Sequence, residues 1–152
     1  MKKILLIVFT IVGLSTYAQM AQSPVSWKAS YVDLKKGEGE IIYTATIEPK
    51  WHIYSQKING EGPIPTSFSI STSKEFSKRG EVTEEGSHEI YDNSFDLKLN
   101  VFDNKAIFKQ KINRSNKKSF KIKTNVEFMV CNDVQCLPPT TVGLEVMVPN
   151  IK

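Results

Sequence analysis

Two cysteines are the residues best suited to chemistry in this chain of 152 residues. Cys131 and Cys136 lie close together in sequence, and Leu137, Pro138 and Pro139 follow them. Such a pair can form a disulfide that exchanges with other proteins, a disulfide that only stabilises the fold, or part of a metal site.

The spacing of the cysteines favours disulfide exchange, and a structural disulfide is the alternative. Closing a loop of about six residues removes only about 2 kcal/mol of unfolded-state freedom. A bond selected for stability would join distant strands, as in immunoglobulin domains, whereas exposed short-loop bonds are the labile ones. A metal site would also need His52 and His88, and their spacing matches no zinc-finger pattern.

The N-terminus predicts a secretory signal peptide over residues 1–18. A basic start precedes the apolar run of residues 4–14, and small residues follow at Thr16 and Ala18. We expect cleavage before Gln19 and export to the periplasm, where the cysteines can pair. Because no cysteine lies near the cleavage site, we expect no lipid anchor. The apolar run is too short to span a bilayer, which takes about 20 residues.

The charge of the chain gives no reason to expect a nucleic-acid partner. Lys and Arg total 20 and Asp and Glu total 16, and two of the lysines leave with the signal peptide. The basic residues between positions 109 and 123 have no aromatic stacking platform beside them. We interpret them as a solvated hairpin.

Alternation of apolar and polar residues predicts that the elements carrying the cysteines are β-strands. The longest run extends from Phe120 to Val130, with Ile122, Val126 and Phe128 on the same predicted core face. Further runs lie within residues 25–31, 41–47, 66–70, 95–101, 106–112 and 142–148, and polar or Gly- and Pro-containing turns separate them. Seven or eight such strands predict an all-β fold, an immunoglobulin-like antiparallel β-sandwich, as one domain over residues 19–152.

Four stretches carry a resemblance to a known family. They are residues 25–27 (VSW), 49–55 (PKWHIYS), 62–68 (GPIPTSF) and 131–139 around the cysteines. In these stretches the chain resembles the amino-terminal periplasmic domain of the DsbD thiol:disulfide interchange reductases. The resemblance implies an immunoglobulin-like sandwich with a redox-active cysteine pair. It also implies that electrons come from a membrane partner and pass to periplasmic thioredoxin-like proteins, with no cofactor or metal.

The same resemblance implies a division of labour between the cysteines. Cys136 would attack the partner's disulfide, and Cys131 would be the resolving thiol. A loop that shields the pair in the family matches residues 88–93, so Ile90 and Tyr91 are the expected cap.

Four further residues are expected near the pair. The resemblance implies that Tyr54 and His52 line the site and that Glu89 and Asp92 approach it. Together with Asp133, which lies between the cysteines, these carboxylates would raise the pKa of a nearby thiol and slow non-specific attack.

The family's full-length members continue into a transmembrane and a thioredoxin-like domain. Because this sequence stops at Lys152, we expect it to meet its electron donor, membrane-bound or soluble, as a separate protein. The alternative is an exported immunoglobulin-like binding module with a structural disulfide.

Overall fold

The computed structural model describes residues 23–58 and 61–151. The expected signal peptide lies outside these residues. The described part contains strands and turns but no helix, and hence no helix that could cross a membrane. It contains eleven strands: β1 (Val25–Lys35), β2 (Glu38–Ile47), β3 (His52–Tyr54), β4 (Ser67–Ile70), β5 (Phe76–Glu85), β6 (His88–Asp92), β7 (Leu97–Asp103), β8 (Lys105–Arg114), β9 (Phe120–Phe128), β10 (Val130–Cys131) and β11 (Thr140–Val148).

The strands form three antiparallel sheets. The first has the order β1-β2-β8-β5, the second β10-β3-β7-β6 and the third β11-β9-β4. The first and third sheets face each other, and the hydroxyls of Tyr43 and Thr124 meet between them at 2.8 Å. This arrangement confirms the predicted all-β sandwich.

The main core lies between the sheets and draws on all three. Trp27 of β1 packs on Phe128 of β9 with ring centroids 5.4 Å apart, and Phe102 of β7 packs on Phe108 of β8 at 5.2 Å. Because successive side chains of a strand point to opposite faces, the second sheet gives only alternate residues to this core. Those residues are Ile53, Phe102 and Val130.

The predicted core face of the longest strand is confirmed. Phe120, Ile122, Val126, Phe128 and Val130 are all buried. The lysines at positions 121 and 123 and the glutamate at position 127 are exposed on the opposite face. The run is nevertheless not one strand, because β9 ends at Phe128 and β10 begins at Val130 in another sheet.

Two further differences from the sequence-based expectation concern strands. Residues 23–58 and 61–151 form eleven strands where seven or eight were expected. The expected shielding loop at residues 88–93 is largely strand β6, which pairs with β7 in a hairpin. The residues expected to form the cap therefore lie on a hydrogen-bonded strand.

Candidate functional site

The cysteine pair lies where the chain crosses from the third sheet to the second. Cys131 ends β10 and pairs with His52 of β3, and an isolated bridge connects it to Cys136. The two are joined by a disulfide with their Cα atoms 4.1 Å apart. Cys131 is only 1% exposed, whereas Cys136 is half-buried. The pair therefore has an inner and an outer sulfur.

The loop between the cysteines is fixed by the side chain of Asn132. Its Oδ1 accepts hydrogen bonds from the backbone N–H groups of Val134 and Gln135, both at 2.9 Å. The Asn132 N–H donates to the Gln135 carbonyl at 2.9 Å. Asparagine favours tight turns because its side chain can bond the backbone two residues on. The loop is thus a compact turn, with Asp133 and Val134 exposed.

A small apolar cluster, separate from the main core, surrounds the inner sulfur. It consists of residues on the second sheet's other face, since β3, β6 and β7 each direct alternate side chains there. Tyr54, Leu99, Val101 and Cys131 are its buried members. The residues packed against them are Ile58, Ile90, Phe95, Met129 and Cys136. Ile90 is thus part of the same cluster as both cysteines.

A buried polar group adjoins this cluster. The Tyr54 hydroxyl donates to Asp92 Oδ2 at 2.6 Å, and the Ser94 N–H donates to Asp92 Oδ1 at 2.8 Å. His52 Nε2 lies 3.4 Å from the Tyr54 hydroxyl and 3.7 Å from Asp92 Oδ2. Burial, reinforced by the hydrogen bond to Asp92 and its negative charge, raises the pKa of Tyr54. The phenol therefore stays protonated and available as a donor.

The hairpin of β6 and β7 lies against the cysteine loop. A small cleft of about 40 Å³ separates Asn132 and Asp133 from the strand and turn at residues 90–94. Ile90 and Asp92, two positions apart, belong to one face of β6. The structure therefore brings together five of the expected residues besides Cys131: His52, Tyr54, Ile90, Asp92 and Cys136.

Two expected residues are not brought to the cluster. Glu89 and Tyr91 alternate with Ile90 and point the other way. Glu89 is exposed and pairs with Lys98 at 3.1 Å, and the exposed Tyr91 donates a hydrogen bond to Asp96. His88, considered as a metal ligand, lies 3.2 Å from Asp103, and the cysteines are bonded to each other.

Sequence reasoning missed the residues that hold β3 in place. The Thr66 hydroxyl donates to the Tyr54 carbonyl at 2.6 Å. Glu84 of β5 accepts from the Ser55 hydroxyl and from the Gln56 N–H at 2.9 Å. Glu84 is a charged residue on a mostly exposed strand, and nothing in its sequence context indicates this contact.

Comparison with protein families gives a match over most of the chain. The model described as "Thiol:disulfide interchange protein DsbD, N-terminal" matches residues 21–146. None of the curated proteins matches the chain significantly.

Solved structures share the fold. The N-terminal periplasmic domain of ScsB from Proteus mirabilis is 14% identical with a TM-score of 0.55, and 80% of this chain aligns with 44% of that one. The aligned part of this chain therefore covers less than half of the ScsB domain's length. The reduced DsbD N-terminal domain of Neisseria meningitidis is 12% identical with a TM-score of 0.53, and 80% of this chain aligns with 86% of that one. Identities this low show a common fold only.

Proposed function

The chain belongs to the family of DsbD N-terminal domains, and from this premise we propose that it exchanges disulfides with thioredoxin-like proteins in the periplasm. The family is one of thiol:disulfide interchange, and this chain carries a joined cysteine pair. The proposal assigns the exchange to Cys131 and Cys136, with no metal or cofactor.

The unequal exposure of the two sulfurs is the observation that carries the proposal. Thiol–disulfide exchange requires the attacking sulfur to approach the target in line, so access decides which cysteine reacts first. Cys136 is half-buried at the surface, and Cys131 is 1% exposed. Cys136 is therefore the attacker, and Cys131 acts only on a sulfur already delivered to Cys136.

The exchange balances without any further reagent. In the reduced domain, the Cys136 thiolate attacks one sulfur of the partner's disulfide, and the partner's other sulfur leaves as a thiolate. Cys131 then loses its proton and attacks Cys136 Sγ, which forms the Cys131–Cys136 bond and expels the partner's first sulfur as a thiolate. Two electrons have passed to the partner, whose thiolates take up protons. A dithiol donor, membrane-bound or soluble, reduces the domain by the reverse sequence.

Trapping the mixed disulfide tests both the function and the assignment. In Cys131→Ala, Cys136 can attack but nothing releases it, so a stable mixed disulfide with a periplasmic thioredoxin-like protein should accumulate. Cys136→Ala, the matched control, should trap little. Non-reducing electrophoresis with mass spectrometry identifies the captured protein.

Two results would argue against the proposal. Equal trapping by both variants would remove the assignment of Cys136 as attacker. If neither variant traps a partner, and the wild-type bond stays oxidised in a couple near about −200 mV, the disulfide is structural. The domain is then the binding module of the alternative hypothesis.

A further inference from the structure

A cleft lined by basic residues lies between the turn that joins β1 to β2 and the turn that joins β8 to β9. Its volume is about 540 Å³, within the range of about 300–1,000 Å³ that small-molecule sites occupy. The first turn and the end of β1 contribute residues 33 and 35–37, the second turn contributes residues 114–117, and Ile151 completes the lining. We call this site the basic cleft.

Positive charge exceeds negative charge in the basic cleft. Its cations are Lys35 and Lys36 from the first turn and Arg114 and Lys117 from the second, and its one acidic residue is Asp33. Asp33 Oδ1 already accepts the backbone N–H of Lys35 at 2.9 Å. Within residues 23–58 and 61–151, no carboxylate lies within 4.0 Å of a side-chain nitrogen of the four cations. The described part of the chain therefore supplies no ion-pair partner for them.

The backbone holds the two turns together although their cations repel each other. The Arg114 N–H donates to the Gly37 carbonyl at 2.8 Å, and Arg114 Nη1 donates to the Pro149 carbonyl at 2.9 Å. Lys35 and Lys36 have φ angles of 73° and 53°, a left-handed conformation that is unfavourable for residues with a Cβ atom. Strained backbone of this kind occurs at ligand sites, where the surrounding structure maintains it.

The basic cleft is remote from the cysteines. Strand β9 begins at Phe120, just after the second turn, and ends at Phe128, just before β10 and Cys131. Its nine residues span about 27 Å at about 3.4 Å per residue. The cleft therefore lies at the other end of the third sheet from the disulfide, and its role is independent of the proposed function.

We propose that the basic cleft binds a phosphate monoester group, carried by a soluble compound or by a lipid headgroup. A carboxylate brings one negative charge, whereas a phosphate monoester brings about −1.5 to −2 at pH 7 and so balances the excess of cations better. Lysine ammonium groups bind phosphate as point charges. The aliphatic stems of the lysines and the side chain of Ile151 offer apolar surface to the rest of the ligand.

Titration of the oxidised protein with inorganic phosphate tests the proposal. Amide shifts in NMR spectra report binding, and chloride at the same ionic strength is the reference. We expect saturable shifts at residues 35–37 and 115–117. The double variant Lys36→Gln, Lys117→Gln should bind phosphate about tenfold more weakly, since it removes two exposed charge contacts. Both lysines are exposed, and an otherwise unchanged spectrum confirms that the variant is folded.

The double variant Lys28→Gln, Lys105→Gln is the matched control. It removes the same charge from exposed positions of β1 and β8 outside the cleft, so it should bind phosphate as the wild type does. Equal weakening in the control overturns the proposal, because net charge alone would then explain binding. Shifts that do not saturate, or equal affinities of the wild type and the Lys36, Lys117 variant, also overturn it.

Co-sedimentation with vesicles distinguishes the two sources of phosphate. The vesicles are phosphatidylcholine with and without phosphatidic acid, whose headgroup is a phosphate monoester. Binding that requires phosphatidic acid and is lost in the Lys36, Lys117 variant identifies a lipid headgroup as ligand. Saturable binding of inorganic phosphate without sedimentation identifies a soluble compound. Failure with both probes overturns the proposal and leaves the disulfide exchange of Cys131 and Cys136 unaffected.

Discussion

Among single residues of the candidate site, Asp92 is a carboxyl group that is costly to bury. Its side chain is 5% exposed, and a buried carboxylate destabilises a fold unless donors compensate it. Tyr54 donates to one oxygen and the Ser94 backbone to the other. Tyr54 thus compensates the burial of the Asp92 carboxyl group beside the cluster that contains Cys131.

Replacing Tyr54 with phenylalanine should reveal the strength of this bond. A hydrogen bond to a charged group contributes about 1.5–3 kcal/mol, and a neutral one about 0.5–1.5 kcal/mol. Tyr43 is the matched control, because its equally buried hydroxyl bonds the neutral Thr124 at 2.8 Å. We expect Tyr54→Phe to lower the free energy of unfolding more than Tyr43→Phe does, in denaturant titrations of the oxidised proteins. Equal losses would mean that Asp92 is not a charged acceptor.

Among the strands, β6 has a partly buried apolar side chain on one face and an exposed side chain on the other. Ile90 packs in the cluster that contains both cysteines. Its neighbour Tyr91 is 56% exposed on the other face. Of the two residues expected to form the cap, only Ile90 therefore packs in the cluster with the cysteines, and it does so from a paired strand.

This arrangement predicts opposite results for two neighbouring substitutions. In the reduced protein, Ile90→Ala should speed the reaction of the cysteines with a small alkylating reagent, because it uncovers the cluster around them. Tyr91→Ala should leave the rate unchanged, since its side chain covers neither sulfur. Alkylation quenched at a series of times, followed by mass spectrometry, measures both rates. The same acceleration in both variants would contradict the assignment of Ile90 alone as cap.

The strands that the sequence predicts and those that it misses differ in burial pattern. β9 alternates strictly between buried and exposed residues, so a period of two can be recognised in its sequence. In β3 all three residues are buried, and β5 is mostly exposed and charged, so neither has a period of two to detect. The sequence also does not show that the strand ends after Phe128. Phe128 and Val130 are both buried, so the alternation continues although the two residues belong to different sheets.

The candidate site was predictable to a similar extent. The family resemblance implied the residues, and His52, Tyr54, Ile90 and Asp92 do assemble near the cysteines. It could not place Glu89 and Tyr91, because their direction depends on residues 88–92 being a strand. Nor could spacing show that Cys131 is the inner sulfur, since that follows from its pairing with β3.

Across the three sheets, the cysteine pair lies apart from the main core. The main core joins all three sheets through residues such as Phe108 and Phe128. The cysteines belong to the smaller cluster on the second sheet's opposite face. We therefore expect a change in the state of the disulfide to leave most of the packing between the sheets in place.

Reduction of the disulfide should accordingly weaken the fold without unfolding it. The bond closes a loop of only about six residues, which constrains the unfolded chain by about 2 kcal/mol, whereas truncating a core phenylalanine costs about 3–5 kcal/mol. We expect urea titrations with and without dithiothreitol to differ by about 2 kcal/mol with equal slopes. The loss should be smaller than that of Phe128→Ala, and a variant with both cysteines changed to alanine should not respond to the reductant. Unfolding of the wild type on reduction alone would mean that the bond holds the sandwich together, which would contradict the proposed exchange function.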